Sequence, residues 1–246
     1  MSGKAYNTGS SSGGTSNGLG QATTVRLDLS PLSPIDKKVI CKALCVCNRR
    51  PDAGASGQAL KQQCVSRNLR DVDRSMDWQS PYKAEVNYDM SCEPPAPITR
   101  SSNALEPHSY LPGWIQKYWP GGLDRYPAGS GAVRRPDVVI VNDGSLPPTQ
   151  DNIEKIVEIK FPPQMAGDDD RQIAAYTRIA GSASKVTVLT PDDCDCAQDD
   201  GGEHPATSTV SSMLSGLGEK LRQIAISRPQ FPGLGLPPPI APLPLP

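Results

Sequence analysis

The chain has 246 residues, among them 22 glycines, 26 prolines and only 2 phenylalanines, and its net charge at pH 7 is −1. This length allows one well-formed hydrophobic core, and the proline and glycine content indicates that part of the chain is loop or tail. The near-neutral charge argues against a protein that coats nucleic acid passively. It does not exclude an enzyme with a local basic face, because metal ions can supply positive charge at a phosphate.

No segment reaches the ~20 consecutive apolar residues that span a membrane, so we expect no membrane insertion. The N-terminus is rich in glycine and serine and lacks the apolar centre of a secretory signal peptide. We therefore expect a protein made in the cytoplasm, which leaves its cell, if at all, by another route.

Composition divides the chain into four parts. Residues 1–30 are small, polar and without hydrophobic periodicity, which is typical of a disordered segment. Residues 31–80 form a cysteine-containing helical segment, residues 81–228 form the main domain, and residues 229–246 form a proline-rich, extended tail.

The cysteine-containing segment predicts two helices. The first covers residues 35–47, and the second covers residues 58–76, where apolar residues recur at helical spacing. Cys41, Cys45, Cys47 and Cys64 are candidate ligands of a structural zinc ion, although their spacing is unlike the usual C-x2-C pair and no histidine lies nearby. Structural cysteines, either reduced or in disulfides, are the alternative interpretation.

The main domain predicts an α/β fold. Residues 93–130 are expected to form a long packed connection with one short helix near Trp114. Residues 138–142 and 155–161 predict two strands of a hairpin, and residues 185–190 predict a third strand. A helix from the Asp168–Asp170 run to Ile179 is expected between them, closed by Gly181. Residues 209–227 predict a last helix.

The two central strands carry the residues that suggest chemistry. Asp137 opens the first strand, and Glu158 and Lys160 stand two apart in the second, so their side chains share one face. Val157, Ile159 and Phe161 then point into the core. Carboxylates of this kind are the ligands that Mg²⁺ and Mn²⁺ prefer, and the lysine can offset charge on a phosphate. Gln172 and Tyr176, four apart on the next helix, share a face as well.

Asp137, the Glu158-x-Lys160 pair and the Gln172-x3-Tyr176 pair resemble the PD-(D/E)xK nuclease superfamily. The Val-Arg-Arg-Pro-Asp run at 133–137 and the stretch 83–90 resemble more particularly its VRR-NUC branch. More narrowly, the chain resembles the VRR-NUC DNase toxins that bacteria inject through type VI secretion systems. The resemblance covers residues 80–190.

The resemblance implies a restriction-endonuclease-like core, with a mixed β-sheet flanked by helices, and cleavage of DNA that depends on Mg²⁺ or Mn²⁺. It implies catalytic roles for Asp137, Glu158, Lys160 and Gln172, with Glu85 completing a metal site formed by Asp137 and Glu158. It also implies a cognate immunity protein, a component of a secretion apparatus as partner, and action in the cytoplasm of a target bacterium.

Other interpretations stay open. Arg134 and Arg135 are candidate DNA contacts, and an ordinary solvated pair is the alternative. Tyr176 is expected to be a core residue, and support of the site is the alternative. At the level of function, the alternatives are a structure-selective nuclease of host replication or repair, and a non-catalytic binding module stabilised by zinc or disulfides.

Overall fold

The computed structural model of the protein describes residues 31–162 and 169–196. The predictions for residues 1–30, Asp168, the helix 209–227 and the tail 229–246 concern residues outside these ranges. Within the described part, no helix combines the length and the apolar character needed to cross a membrane.

The helices are α1 (Pro34–Arg49), α2 (Lys61–Ser75), α3 (Leu111–Tyr118), α4 (Gly122–Arg125) and α5 (Asp169–Ala180). The strands are β1 (Asp52–Ala53), β2 (Ala59–Leu60), β3 (Tyr82–Ala84), β4 (Asn87–Asp89), β5 (Ala96–Arg100), β6 (Asn103–Pro107), β7 (Val133–Arg134), β8 (Val138–Val141), β9 (Ile153–Ile159) and β10 (Val186–Leu189). The helices predicted around 35–47 and 58–76 are confirmed as α1 and α2.

The central sheet has four strands in the order β10-β9-β8-β3. β8 pairs with β9 antiparallel, which confirms the predicted hairpin, and β10 pairs with β9 parallel. A parallel pair needs a crossover connection, and α5 lies within the segment that joins β9 to β10. The sheet is therefore mixed, and the α/β class predicted from the sequence is confirmed.

Both faces of the central sheet are covered. In β8, Val138 and Ile140 belong to the apolar cluster that includes α1 and α2, whereas Val139 and Val141 belong to the cluster that includes α5. All four side chains are fully buried. This two-sided burial explains why β8 is an unbroken apolar run instead of an alternating one.

A second, antiparallel sheet has the order β6-β5-β4-β7. The prediction of a connection with one short helix over residues 93–130 is wrong in part, because this range contains the β5–β6 hairpin besides α3 and α4. The two strands are short, and both include proline, which is rare in the interior of a sheet. Their sequences therefore lack the usual signal of a strand.

The chain passes between the two sheets twice, once between β3 and β4 and once between β7 and β8. These two crossing segments lie side by side, because the backbone N–H of Glu85 donates a hydrogen bond to the carbonyl oxygen of Asp137, 3.0 Å away. We call this place the joint, defined by residues 85–86 and 135–137. Glu85 has φ +52°, in the left-handed region that residues other than glycine seldom adopt.

Six of the cysteines are joined in three disulfides, which favours the disulfide alternative over a zinc site. Cys41 is bonded to Cys194 and Cys45 to Cys196, so α1 is tied to the segment after β10. Cys47 is bonded to Cys64, which ties α1 to α2. All four proposed zinc ligands (Cys41, Cys45, Cys47 and Cys64) are oxidised, and zinc binds thiolates, so in this state none of them can serve as a ligand. Cys92 is not in a disulfide.

Candidate active site

The candidate site lies where the joint meets β9 and α5. Asp137 stands directly before β8, and its Oδ2 accepts a hydrogen bond of 2.7 Å from the backbone N–H of Ile159 in β9. This bond orients the carboxylate across the first residues of the β8–β9 pair. The strand sequence positions Asp137, since Val138 pairs with Val157 next to Glu158.

Glu158 and Lys160 share one face of the second strand, as the sequence predicts. Their side chains form an ion pair, with Nζ of Lys160 3.0 Å from Oε1 of Glu158. Val157, Ile159 and Phe161 lie in the cluster with α1 and α2, on the opposite face of the sheet. The pair therefore faces α5, and a helix covers it instead of bulk solvent.

Gln172 of α5 connects the two charged residues. Its amide oxygen accepts a hydrogen bond of 3.0 Å from Nζ of Lys160, and its amide nitrogen donates one of 2.9 Å to Oε1 of Glu158. The same nitrogen donates to the hydroxyl of Tyr176, also at 2.9 Å. Gln172 is thus held in a single orientation, in which its amide is hydrogen-bonded to both the carboxylate of Glu158 and the ammonium group of Lys160.

Tyr176 joins this network to the joint. Its hydroxyl donates a hydrogen bond of 3.2 Å to the carbonyl oxygen of Arg135. Burial is the main cause that raises the pKa of Tyr176, and the negative charge of Glu158 adds to it, so the phenol stays protonated. Tyr176 is both a core residue, with 2% of its surface exposed, and a support for Gln172.

Keeping the carboxylates of Asp137 and Glu158 ionised at the same time costs free energy. Burial raises the pKa of Asp137 to about 7, and the charge of Glu158 contributes, while the Ile159 N–H and Lys160 act in the opposite direction. Oε2 of Glu158 is buried and has no hydrogen-bond partner in the described part of the protein. A buried carboxylate oxygen without a donor is rare and calls for a cation or another ligand.

Glu85 lies near this pair, since its negative charge also raises the pKa of Asp137. Its carboxylate, however, is engaged by arginines, with Oε2 bonded to Arg70 and Oε1 3.8 Å from Arg135. Within residues 31–162 and 169–196, no three side chains of His, Cys, Asp or Glu form a group that could hold a metal ion. The role of Glu85 as a third metal ligand stays a prediction.

The structure thus brings together Asp137, Glu158, Lys160 and Gln172, with Glu85 at the edge. Of the two candidate DNA contacts, Arg135 is exposed and Arg134 is half-buried in β7. Asp137 and Glu158 are the residues that could hold a divalent metal, because both offer carboxylate oxygens at one place.

Sequence reasoning missed the arginines of α2. Arg70 contacts Glu85, and Arg67 and Arg74 lie on the same side of the helix. Their spacing of three and four residues is a helical signal that was available in the sequence. Its connection with the site depends on where the joint places Glu85, which no local pattern reveals.

Comparisons with protein-family models, with curated proteins and with solved structures find no match for this chain.

Proposed function

We propose that the protein is a nuclease that hydrolyses phosphodiester bonds of DNA and depends on Mg²⁺ or Mn²⁺. The observation that carries the proposal is the buried, partnerless Oε2 of Glu158 beside Asp137, whose pKa is raised to about 7. A divalent cation held by the two carboxylates would satisfy the orphaned oxygen and offset the negative charge that, together with burial, raises the pKa of Asp137.

Each residue has a role in this proposal. Asp137 and Glu158 would hold the metal, which would supply a Lewis acid for the phosphate and a more acidic water. Lys160 brings a positive charge within 3.0 Å of Glu158 and can offset the charge that develops on the phosphate oxygens. Gln172 positions the side chains of Lys160 and Glu158 relative to each other through its two amide hydrogen bonds.

The topology supports a restriction-endonuclease-like core as part of the proposal. The strand that follows Asp137 and the strand that carries Glu158 are antiparallel neighbours, and α5 then leads to a parallel strand. The sequence resemblance extends the proposal to the biological role, an antibacterial toxin that acts in the cytoplasm of a target bacterium. A secretion-apparatus component and a cognate immunity protein are the partners that this role requires.

A plasmid-nicking assay tests the activity. Purified protein with Mg²⁺ or Mn²⁺ is expected to nick supercoiled DNA, and EDTA is expected to stop it. Glu158→Gln and Lys160→Met should each lower the rate by about 10²-fold or more, the size of a lost electrostatic contribution to catalysis. Glu154→Gln, in the same strand but outside the site, is the matched control. Full activity of the Glu158 and Lys160 variants would refute the site.

Growth of a bacterium that expresses the chain tests the biological role. The toxin proposal predicts growth arrest with the wild-type chain and normal growth with Glu158→Gln. Nicking without any growth defect would favour a nuclease of host replication or repair instead.

One observation favours a second candidate, a non-catalytic binding module stabilised by disulfides. Three disulfides hold the segments around α1, which lie on the face of the sheet opposite Glu158. DNA that stays intact with Mg²⁺ and with Mn²⁺ would support this candidate.

A further inference from the structure

The exposed side of α2 carries a row of arginines. Arg67, Arg70 and Arg74 follow one another at intervals of three and four residues, so their side chains leave the helix on one face. They form one wall of a groove of about 410 Å³, which Arg135 of the joint also lines. The remaining lining residues are Gln63, Asp52, Asp71 and Glu85. Four arginines face three carboxylates, so the net charge of the groove is +1 while that of the whole chain is −1.

Two of these arginines are largely exposed, although Arg67 forms a bidentate pair with Asp52 through hydrogen bonds of 2.9 and 2.7 Å. Arg67 lies 2.7 Å from Asp52, and Arg74 lies 3.1 Å from Asp71, but the two arginine side chains are 52% and 63% exposed. Ion pairs with this exposure contribute little, because water and salt screen them. A phosphate can therefore replace the carboxylate at small cost, and guanidinium groups suit phosphate because they donate in a planar fork.

Arg70 offers a hydrogen bond that the protein does not satisfy. Its terminal nitrogen donates to Glu85, whereas its Nε is buried and has no acceptor among the described residues. A buried donor without an acceptor is uncommon, and an anionic oxygen at this end of the groove would satisfy it.

The groove lies next to the candidate active site, because Glu85 lines it and the charge of Glu85 helps to raise the pKa of Asp137. Arg135 lines the groove with its guanidinium, and its carbonyl oxygen accepts the hydrogen bond of Tyr176. Two residues later, Asp137 presents its carboxylate to β9. A strand that lies in the groove would therefore pass close to Asp137.

We propose that this arginine face binds the phosphodiester backbone of the strand that is cut, on one side of the cleavage point. Arg67 and Arg74 are seven residues apart on the helix, about 10 Å along its axis. That distance corresponds to roughly three nucleotides at about 3.4 Å of rise per nucleotide. The contacts are to phosphates, so the face positions the strand without reading its sequence. The inference rests on the proposed nuclease function, whose substrate it positions.

Binding of DNA in the absence of cleavage tests the inference separately from the activity. Anisotropy of a fluorescein-labelled single strand, in EDTA so that nothing is cut, gives the affinity at several KCl concentrations. The double variant Arg67→Gln/Arg74→Gln should weaken binding about tenfold at low salt. It should also reduce the slope of log K against log[KCl] by about 1.4 in magnitude, since each lost phosphate contact lowers this slope by about 0.7. Arg100→Gln is the matched control, because Arg100 is 51% exposed and bonded to Glu106, away from the groove.

A variant that is expected to bind DNA more tightly serves as a second test, because a misfolded protein would not gain affinity. Asp71→Asn removes one carboxylate that competes for Arg67 and Arg74, and should tighten binding about two- to fivefold, the range of an exposed ion pair. Wild-type affinity and salt slope in both the double variant and Asp71→Asn would overturn the inference, as would a wild-type protein that does not bind DNA. Arginine-dependent binding by a protein that never cuts would uphold the inference and contradict the nuclease proposal.

Discussion

The hydroxyl of Tyr176 donates a hydrogen bond of 3.2 Å to the carbonyl oxygen of Arg135. Through this bond α5 is attached to the joint between the two sheets, at the residue whose guanidinium lines the arginine groove. The same hydroxyl accepts from Gln172, which holds Glu158 and Lys160. The proposed catalytic residues and the proposed DNA-binding face therefore share one buried phenol.

Removal of this hydroxyl should affect turnover more than binding. Tyr176→Phe leaves the Arg135 carbonyl without its donor and Gln172 without one of its acceptors, at a cost of about 1–3 kcal/mol in the free energy of unfolding. Because Gln172 then loses its fixed orientation, we expect kcat for DNA cleavage to fall about tenfold with KM little changed. Urea denaturation and steady-state kinetics measure the two effects. An equal loss of stability with wild-type kcat would show that Tyr176 serves packing alone.

Asp137 should make the stability of the metal-free protein depend on pH. Its folded-state pKa of about 7 lies above its ordinary value of 3.8, so the folded state favours the protonated carboxyl. The raised pKa contributes up to about 4 kcal/mol to the free energy of unfolding, at 1.36 kcal/mol per pKa unit. This contribution is fully present below about pH 4 and is lost as the pH rises towards 7. Urea denaturation in EDTA between pH 4 and 8 measures it.

Asp137→Asn should remove this part of the pH dependence and be more stable than wild type at pH 8. Mg²⁺ or Mn²⁺ should raise the stability of the wild type at pH 8, because an ion that binds only the folded state stabilises it. The Asn variant should gain less. A wild-type pH profile that matches that of the variant would contradict the raised pKa of Asp137, whose causes are burial and the charge of Glu158.

A second ionic pair supports the fold on the α2 side. Nζ of Lys83 in β3 lies 2.9 Å from Oδ1 of Asp73 in α2, and both side chains are almost fully buried. Burial raises the pKa of Asp73 to about 6 and lowers that of Lys83. Lys83→Met should cost about 3–5 kcal/mol, because it leaves a buried carboxylate without its partner.

The double variant Lys83→Met/Asp73→Asn should recover part of that loss at pH 7. The amide is neutral, and its oxygen can still accept the hydrogen bond that Ser80 N–H donates to Asp73. Denaturation by urea compares the two variants. A double variant less stable than Lys83→Met would show that the pair does not act by charge compensation.

The disulfides should contribute to stability more than to the chemistry. Cys47–Cys64 closes a short loop, with a sequence separation of 17, whereas Cys41–Cys194 and Cys45–Cys196 close loops with separations of 153 and 151. Each bond is expected to contribute about 2–5 kcal/mol, less for the second of the two long loops because the first already restricts the chain. Reduction should therefore lower the Tm strongly.

DNA cleavage at 20 °C should persist in the reduced protein if it stays folded, because α1 packs on the sheet face opposite Glu158. Nicking assays with and without a phosphine reductant measure this, with the Tm as the control for folding. Complete loss of cleavage in a reduced but folded protein would mean that the disulfides hold the site itself. DNA cleavage by the reduced protein would also be consistent with a protein that passes from an oxidising compartment into a reducing cytoplasm.

Local patterns in the sequence determined most of the central sheet and the helix α5 that packs on it. The apolar run of β8, the alternation around Glu158 and Lys160 and the helical spacing of Gln172 and Tyr176 each depend on neighbours within a few residues. The same patterns correctly placed Glu158 and Lys160 on one face. By contrast, the hairpin β5–β6 escaped prediction, because its short, proline-containing strands are stabilised by pairing with other strands and not by their own propensity.

Only the tertiary structure decided the rest. The cysteine partners follow from which segments meet in space, since Cys41 and Cys194 are 153 residues apart. The sequence spacing left structural cysteines, reduced or in disulfides, and a zinc site as alternatives. Glu85 is bonded to Arg70 because the joint turns its side chain towards α2. The desolvation of Asp137 and its proximity to the buried Glu158, which together raise the pKa of Asp137, depend on how the elements of the site pack. Desolvation and charge interaction are properties of the packed molecule, and the linear chain does not contain them.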